Sequence, residues 1–154
     1  MKIRLTVGEK EKLNGYTNID PITKFDGISI DVRNLDGLAS DAECTEIIAE
    51  GVIDFLHKED FVLAISNWVK KMRHGGKIIV TSIDALEVAK SFSRKKIDIR
   101  AFNEAIHGNF SEGWDVFLSH TTIEELSSVL ESLGLVITKK RINGIKLMVE
   151  AKRP

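Results

Sequence analysis

The sequence predicts a single α/β domain over residues 1–154, with a mainly parallel sheet of about seven strands, helices packed on that sheet and a C-terminal antiparallel hairpin. Two observations predict this class. Stretches in which apolar and polar residues alternate, as in strands, are interleaved with stretches that repeat apolar residues at helical spacing. The length of 154 residues also suits one domain, and 43% hydrophobic residues are enough for a core.

Seven segments are predicted to be strands: residues 2–7, 16–19, 27–32, 45–49, 77–83, 135–140 and 145–152. In the first segment, Ile3, Leu5 and Val7 alternate with polar residues. Asn143-Gly144, between the last two segments, is typical of a tight hairpin turn. Only about six to eight residues link the first three strands, whereas a parallel crossover usually needs about a dozen, so spacing alone favours hairpins there.

Four segments are predicted to be helices: residues 58–73, 84–92, 97–107 and 122–133. The first carries an apolar stripe that includes Trp68, and Gly75-Gly76 are expected to end it. Asp84 is expected to cap the second helix and Thr121 or Thr122 the fourth, because these side chains can accept hydrogen bonds from the free N–H groups of a first helical turn.

The charge balance argues against whole classes of partner. Lys and Arg number 22 and Asp and Glu number 23, which gives a formal net charge of -1. Such a chain has no general attraction to nucleic acid or to anionic lipid, and we predict neither as a partner. The basic cluster at residues 94–96 is expected to be a solvated helix end. The N-terminal apolar run is too short for a signal peptide or a membrane span, so we expect a cytoplasmic protein.

Residue types that commonly carry metal or phosphate chemistry are sparse. The only cysteine, Cys44, cannot form an internal disulfide and is expected to be structural. No cluster of cysteine and histidine predicts a metal site. The glycine-rich phosphate loop and the dinucleotide-binding fingerprint are absent as well.

Glycine and acidic residues follow the first three predicted strands. Val7-Gly8 ends the first strand, Asp20 follows the second, and Asp31 lies at the end of the third. In an open α/β sheet, ligands bind beyond the carboxyl ends of the strands. A glycine there allows close approach to the backbone, and an acid can accept hydrogen bonds from a ribose diol. Together these residues predict a pocket for an adenosine-like group.

The order of these features resembles the class I S-adenosylmethionine-dependent methyltransferases, in particular a small bacterial group with Leu-x-Leu-Gly-Cys-Gly followed by Gly-Tyr-x-Asn-Ile-Asp. Residues 15–20 carry the second motif, residues 31–35 match the end of the third strand, and residues 75–80 match the turn before the fifth. The resemblance runs over nearly the whole chain. It implies a Rossmann-like sheet in which short loops connect the early parallel strands.

The resemblance also implies S-adenosylmethionine as the cofactor. By position, Gly8 is expected to face the methionine part of the cofactor, and Asp20 is expected to bind the ribose hydroxyls. Asp31 and Val32 are expected to flank the adenine. The pair Glu50-Gly51, just past the fourth strand, is expected to line the floor near the sulfonium.

Two stretches depart from the pattern of that group. Gly8 is followed by Glu9 and Lys10 where the group has Gly-x-Gly, and a lysine there is expected to fill the pocket and repel a sulfonium. After the fourth strand, residues 53–56 read Ile-Asp-Phe-Leu where the group has Leu-Glu-His-Leu. The acid is therefore kept as Asp54, whereas Phe55 replaces the histidine.

Two functions remain open at this point. The first is methyl transfer to a small-molecule acceptor, for which the candidate bases are Asp54, His57, His107 and His120. The second is a non-catalytic binding or assembly module that keeps the fold without the cofactor. Residues 108–119, which include Trp114, are expected to form either a lid over the pocket or a loop anchored by its aromatic residues.

Overall fold

The computed structural model describes all 154 residues and contains one mixed sheet of six strands in the order β2-β1-β3-β4-β6-β5. The strands are β1 (Lys2–Leu5), β2 (Thr17–Ile19), β3 (Cys44–Glu50), β4 (Met72–Ile83), β5 (Val136–Asn143) and β6 (Lys146–Lys152). The first four strands pair in parallel, and β6 pairs antiparallel with both β4 and β5. The predicted α/β class and C-terminal hairpin are therefore confirmed.

Four helices accompany the sheet: α1 (Lys58–Lys71), α2 (Ala85–Ser93), α3 (Ile99–His107) and α4 (Ile123–Ser132). Asp84 and Thr122 cap α2 and α4 as predicted, each accepting a hydrogen bond from the backbone N–H three residues on. Buried residues of α1 and α4 join the strands in one apolar core of 26 residues, in which Trp68 is 0% exposed. The helices α2 and α3 pack on each other beside this core. None of the helices combines the length and the apolar composition needed to cross a membrane.

The prediction that Gly75-Gly76 end the first helix is wrong. The helix α1 ends at Lys71, and the chain passes directly into β4, which contains both glycines. A Cβ atom at Gly76 would lie 2.9 Å from the carbonyl oxygen of Cys44. Gly76 therefore allows β3 to approach β4 closely, at a point where the register of the two strands shifts.

The predicted strand at residues 27–32 does not form, so the sheet has six strands rather than seven and β2 is at its edge. Side chains of α1 bind the backbone of this region instead. The indole Nε1 of Trp68 donates to the carbonyl oxygen of Val32 at 2.7 Å, and the backbone N–H of Leu35 donates to Asn67 Oδ1 at 2.8 Å. Apolar side chains of the segment still pack against the core, which explains their strand-like alternation.

Although the sequence spacing favours a hairpin, β1 and β2 are parallel, and residues 6–16 join them without a helix. Arg4 helps to hold this connection, because its Nη1 donates to the carbonyl oxygen of Glu11 at 2.8 Å. The short parallel link implied by the methyltransferase resemblance is therefore confirmed.

We expect Trp68→Phe to lower the free energy of unfolding by about 1–3 kcal/mol, because the buried carbonyl of Val32 loses its donor. Denaturant titration followed by circular dichroism measures this. Trp114→Phe is the matched control, since Trp68 is the tryptophan whose indole N–H donates to a protein group. An equal loss in both variants would show that ring size, and not the hydrogen bond, matters.

Candidate functional site

The strand order places a topological switch point at β1. From β1 the chain continues to β2 on one side and later returns to β3 on the other. The loops that follow β1 and β3 therefore diverge and leave a crevice beyond the carboxyl ends of these strands, where ligands bind in open α/β sheets. Val7 and Gly8 follow β1, and Glu50-Gly51 ends β3.

Three neighbouring cavities occupy this crevice, and Val7 lines all of them. The loop cavity, of about 430 Å³, is lined by residues 6–11 and Glu50. The rim cavity, of about 450 Å³, lies between Asp31-Val32 and Trp114. The floor cavity, of about 680 Å³, extends from Glu50-Gly51 to Lys146 and is the largest of the three.

The fold brings together most of the residues predicted for the cofactor. Gly8 lines the loop cavity, Asp31 and Val32 line the rim cavity, and Glu50-Gly51 lines the floor cavity. Asp31 reaches the rim although its segment is not a strand, and its carboxylate pairs there with Arg33. Asp20 lines none of the three cavities. Its neighbour Pro21 does line the rim cavity.

The carboxylate of Asp20 is 1% exposed and accepts five hydrogen bonds from within the chain. The donors are Thr6 Oγ1 at 2.8 Å and the backbone N–H groups of Gly8 at 3.0 Å, Glu9 at 2.8 Å, Ile22 at 2.9 Å and Thr23 at 3.0 Å. Burial raises the pKa of Asp20, but the hydrogen bonds outweigh burial and the pKa is lowered overall. Asp20 thus fixes the loop after β1 to the end of β2.

Arg4 is a residue of this site that the sequence reasoning missed. It lies in β1, is 9% exposed, and binds both carboxylate oxygens of Glu50 with Nε at 3.0 Å and Nη2 at 2.8 Å. The hydrogen bond to Glu50 is the main reason why the pKa of Arg4 is raised. A charged residue between Ile3 and Leu5, two buried strand residues, is the signal that could have found it.

The indole of Trp114 covers the backbone of Gly8. A Cβ atom at Gly8 would lie only 2.1 Å from Trp114 Cη2, and the φ angle of Gly8 is +74°. A glycine is therefore required there both for conformation and for space. From the sequence, the side chain of Lys10 is expected to fill the pocket. Lys10 is instead exposed and lines only the loop cavity. The side chain that occupies the place over Gly8 belongs to Trp114.

Asp54 is the only candidate base that lines the floor cavity. It is 3% exposed, and it accepts hydrogen bonds from Ser82 Oγ at 2.5 Å and from the backbone N–H of Ile83 at 3.3 Å. Burial raises the pKa of Asp54 to about 6, although these bonds and the charge of Lys146 act to lower it. A carboxyl with this pKa can exchange a proton close to neutral pH.

The three histidines proposed as bases lie outside the three cavities. His57 and His107 are exposed. One ring nitrogen of His120, Nε2, lies 2.5 Å from the carbonyl oxygen of Ile106, which ties this side chain to the C-terminal half of α3.

Comparison with known proteins identifies the architecture. No protein-family model matches the sequence, and no curated protein does. Among solved structures, the 1,6-didemethyltoxoflavin-N1-methyltransferase of Burkholderia thailandensis, with S-adenosylhomocysteine bound, aligns at a TM-score of 0.54 and 12% identity, over 82% of this chain and 49% of that one. Magnesium protoporphyrin IX methyltransferase of Synechocystis, also with S-adenosylhomocysteine bound, aligns at a TM-score of 0.53 and 12% identity, over 92% of this chain and 53% of that one. An O-methyltransferase family protein of Burkholderia thailandensis aligns at a TM-score of 0.56 and 11% identity, over 86% of this chain and 38% of that one.

The chain has the class I methyltransferase fold. This confirms the architecture that the sequence resemblance implies. At identities of 11% to 12%, the similarity concerns the fold alone. The chain spans 38% to 53% of the lengths of these three proteins.

We expect Asp20→Asn to lower the free energy of unfolding at pH 7 by about 3 kcal/mol or more, because several charge-assisted hydrogen bonds are lost at once. The lowered pKa of Asp20 means that its contribution is present above the pKa of an unfolded aspartate, about 3.9, and is lost as the pH falls through its folded pKa. Denaturant titrations at pH 7 and below pH 4 test both statements. Asp26→Asn, at an exposed ion pair, is the control and should cost far less.

The raised pKa of Asp54 predicts the opposite pH dependence. Because the folded state binds this proton more tightly than the unfolded state, the free energy of unfolding should fall as the pH rises from about 4 to about 6. Asp54→Asn should remove this dependence and stabilise the fold at pH 8 by about 1–3 kcal/mol. Thermal melts between pH 4 and pH 8 measure it. Asp115→Asn, at a second buried aspartate of the floor cavity, is the matched control and should leave the dependence in place.

Proposed function

We propose that the chain binds S-adenosylmethionine beyond the carboxyl ends of β1 and β3 and transfers its methyl group to a small-molecule acceptor. The observation that carries the proposal is the set of three cavities around Val7 at the switch point, in a chain with the methyltransferase fold. Two proteins with this fold have S-adenosylhomocysteine bound. A cytoplasmic location is part of the same proposal.

The residues around the rim cavity suit an adenosine. Val7, Val32 and Leu56 give apolar surface for a purine, and the exposed carboxylate of Asp31 can accept a hydrogen bond from an exocyclic amine. The backbone at Gly8 carries no side chain, so a ligand arm can approach it closely once the indole of Trp114 has moved away. By position, Glu50-Gly51 would lie near the sulfonium, and the carboxylate of Glu50 is held there by its two hydrogen bonds from Arg4.

The floor cavity suits the acceptor. When bound, the cofactor supplies an electrophilic methyl group, so the chain has to align the acceptor, exclude water and, for some acceptors, remove a proton. Phe55, Trp114 and Phe117 give this cavity an apolar wall, with Phe55 5.1 Å from Phe117 between ring centroids. Asp54 is the group that we assign to receive a proton from a hydroxyl or an amine of the acceptor.

A non-catalytic module is the second candidate, and two observations favour it. The buried Asp20 carboxylate already accepts five hydrogen bonds from protein donors, and Trp114 covers Gly8. In this alternative, the same residues that hold the loop together leave no place for the ribose. Measurement of cofactor binding separates the two candidates.

We expect S-adenosylhomocysteine to bind with one site per chain in a calorimetric titration, and to stabilise the fold by about 2.7 kcal/mol at 100 times its dissociation constant. Asp31→Ala should weaken binding about tenfold, since it removes the acceptor assigned to the adenine. Asp26→Ala, at an exposed aspartate that is also ion-paired, should bind as the wild type does. Absence of binding at millimolar ligand would refute the enzyme and leave the non-catalytic module.

A further inference from the structure

Trp114 occupies a place that the proposed cofactor would need. Three atoms of its six-membered ring, Cη2, Cζ3 and Cζ2, lie 2.1, 2.7 and 2.8 Å from the position of a Cβ atom on Gly8. The edge of the indole therefore points into the space that the glycine leaves open. A ligand that approaches the backbone of Gly8 must displace this ring.

The indole also separates the two cavities that the proposal uses. Trp114, Phe55 and Val7 line both the rim cavity and the floor cavity. In the proposed function the adenosine lies in the rim cavity and the acceptor in the floor cavity, so the reacting methyl group has to pass this wall. Displacing the indole would remove a part of the wall that the two cavities share.

The attachment of Trp114 allows such a movement. The loop that carries it is held at its base, where the backbone N–H of Phe117 donates to the carbonyl oxygen of His107 at 3.0 Å and Ser111 Oγ donates to Asp115 at 2.6 Å. The indole itself is half-buried and packs against Phe55, with 6.1 Å between ring centroids. Gly113, next to it, has open space around its Cα. Displacing the ring costs apolar contact but breaks no hydrogen bond of the indole.

We propose that Trp114 is a gate for the cofactor site: its indole closes the cleft over Gly8, and an adenosyl ligand binds only when the indole has moved away. This inference rests on the proposed function. It makes Trp114 the residue that sets the affinity for the ligand, because the apparent dissociation constant is the intrinsic one divided by the fraction of chains with an open cleft.

The first test compares the affinity of S-adenosylhomocysteine for the wild type, two Trp114 variants and one control variant by calorimetry. Trp114→Ala should bind the ligand at least about tenfold more tightly than the wild type does. The affinity of Trp114→Leu, which keeps apolar packing, should lie between those of the wild type and Trp114→Ala. Phe110→Ala is the control, since Phe110 is an aromatic residue of the same loop, 62% exposed, and lines none of the three cavities. Circular dichroism melts confirm that each variant is folded.

The second test follows Trp114 directly. Trp68 is 0% exposed, so quenching of tryptophan fluorescence by acrylamide reports mainly on Trp114. Saturating S-adenosylhomocysteine should increase this quenching in the wild type, because the indole leaves Gly8 for solvent. In Trp114→Ala, the remaining quenching should be low and independent of the ligand.

The outcomes distinguish the gate from the proposed function. Binding to Trp114→Ala that is equal to or weaker than wild-type binding, with unchanged quenching, would overturn the gate and leave the cofactor site intact. Binding to Trp114→Ala alone would support the gate and overturn the proposed function, because the wild-type chain would then bind no cofactor. Absence of binding to the wild type and to both Trp114 variants would overturn the gate and the proposed function together.

Discussion

The ends of β1 and β2 are joined by one buried carboxylate. The side chain of Asp20 accepts backbone hydrogen bonds from Gly8 and Glu9 after β1, and from Ile22 and Thr23 after β2. Without this carboxylate, four backbone N–H groups would lose their hydrogen-bond acceptor in a buried part of the structure. Side chains hold the rest of the loop, since the Glu9 carboxylate accepts from the backbone N–H groups of Lys10 and Glu11, and Arg4 donates to the carbonyl oxygen of Glu11. Together, these bonds fix the backbone after β1, where the sequence reads Gly8-Glu9-Lys10.

The bare backbone at Gly8 has two consequences. It allows a ligand to approach β1, and it equally allows an aromatic ring to do so, which is the arrangement that Trp114 adopts. Apolar contact with Phe55 and Val7 keeps the ring there without a hydrogen bond. Stability and ligand access are therefore opposed at this point, because the contacts that close the cleft are those that a ligand would replace.

Side chains of α1 hold the rim of the crevice where a third strand was predicted. A loop replaces the strand predicted at residues 27–32, and α1 holds this region through Trp68 and Asn67. Farther along the loop, the buried ammonium group of Lys71 pairs with Asp36 and Asp41. These anchors are side chains rather than a strand ladder, yet they bring Asp31 to the same rim as Val7. Val7 and Asp31 thus line one cavity although no strand ladder connects their segments.

The sequence by itself determined the features that arise between near neighbours. The helical stripe of α1, the caps at Asp84 and Thr122 and the hairpin at Asn143-Gly144 all depend on residues a few positions apart. The positions of Gly8 after β1, Asp20 after β2 and Glu50 at the end of β3 also followed from local patterns. The tertiary structure alone decided the number of strands, the pairing of Arg4 with Glu50 and the contact of Trp114 with Gly8. Each of these depends on residues that are far apart along the chain and that come into contact only when the chain has folded.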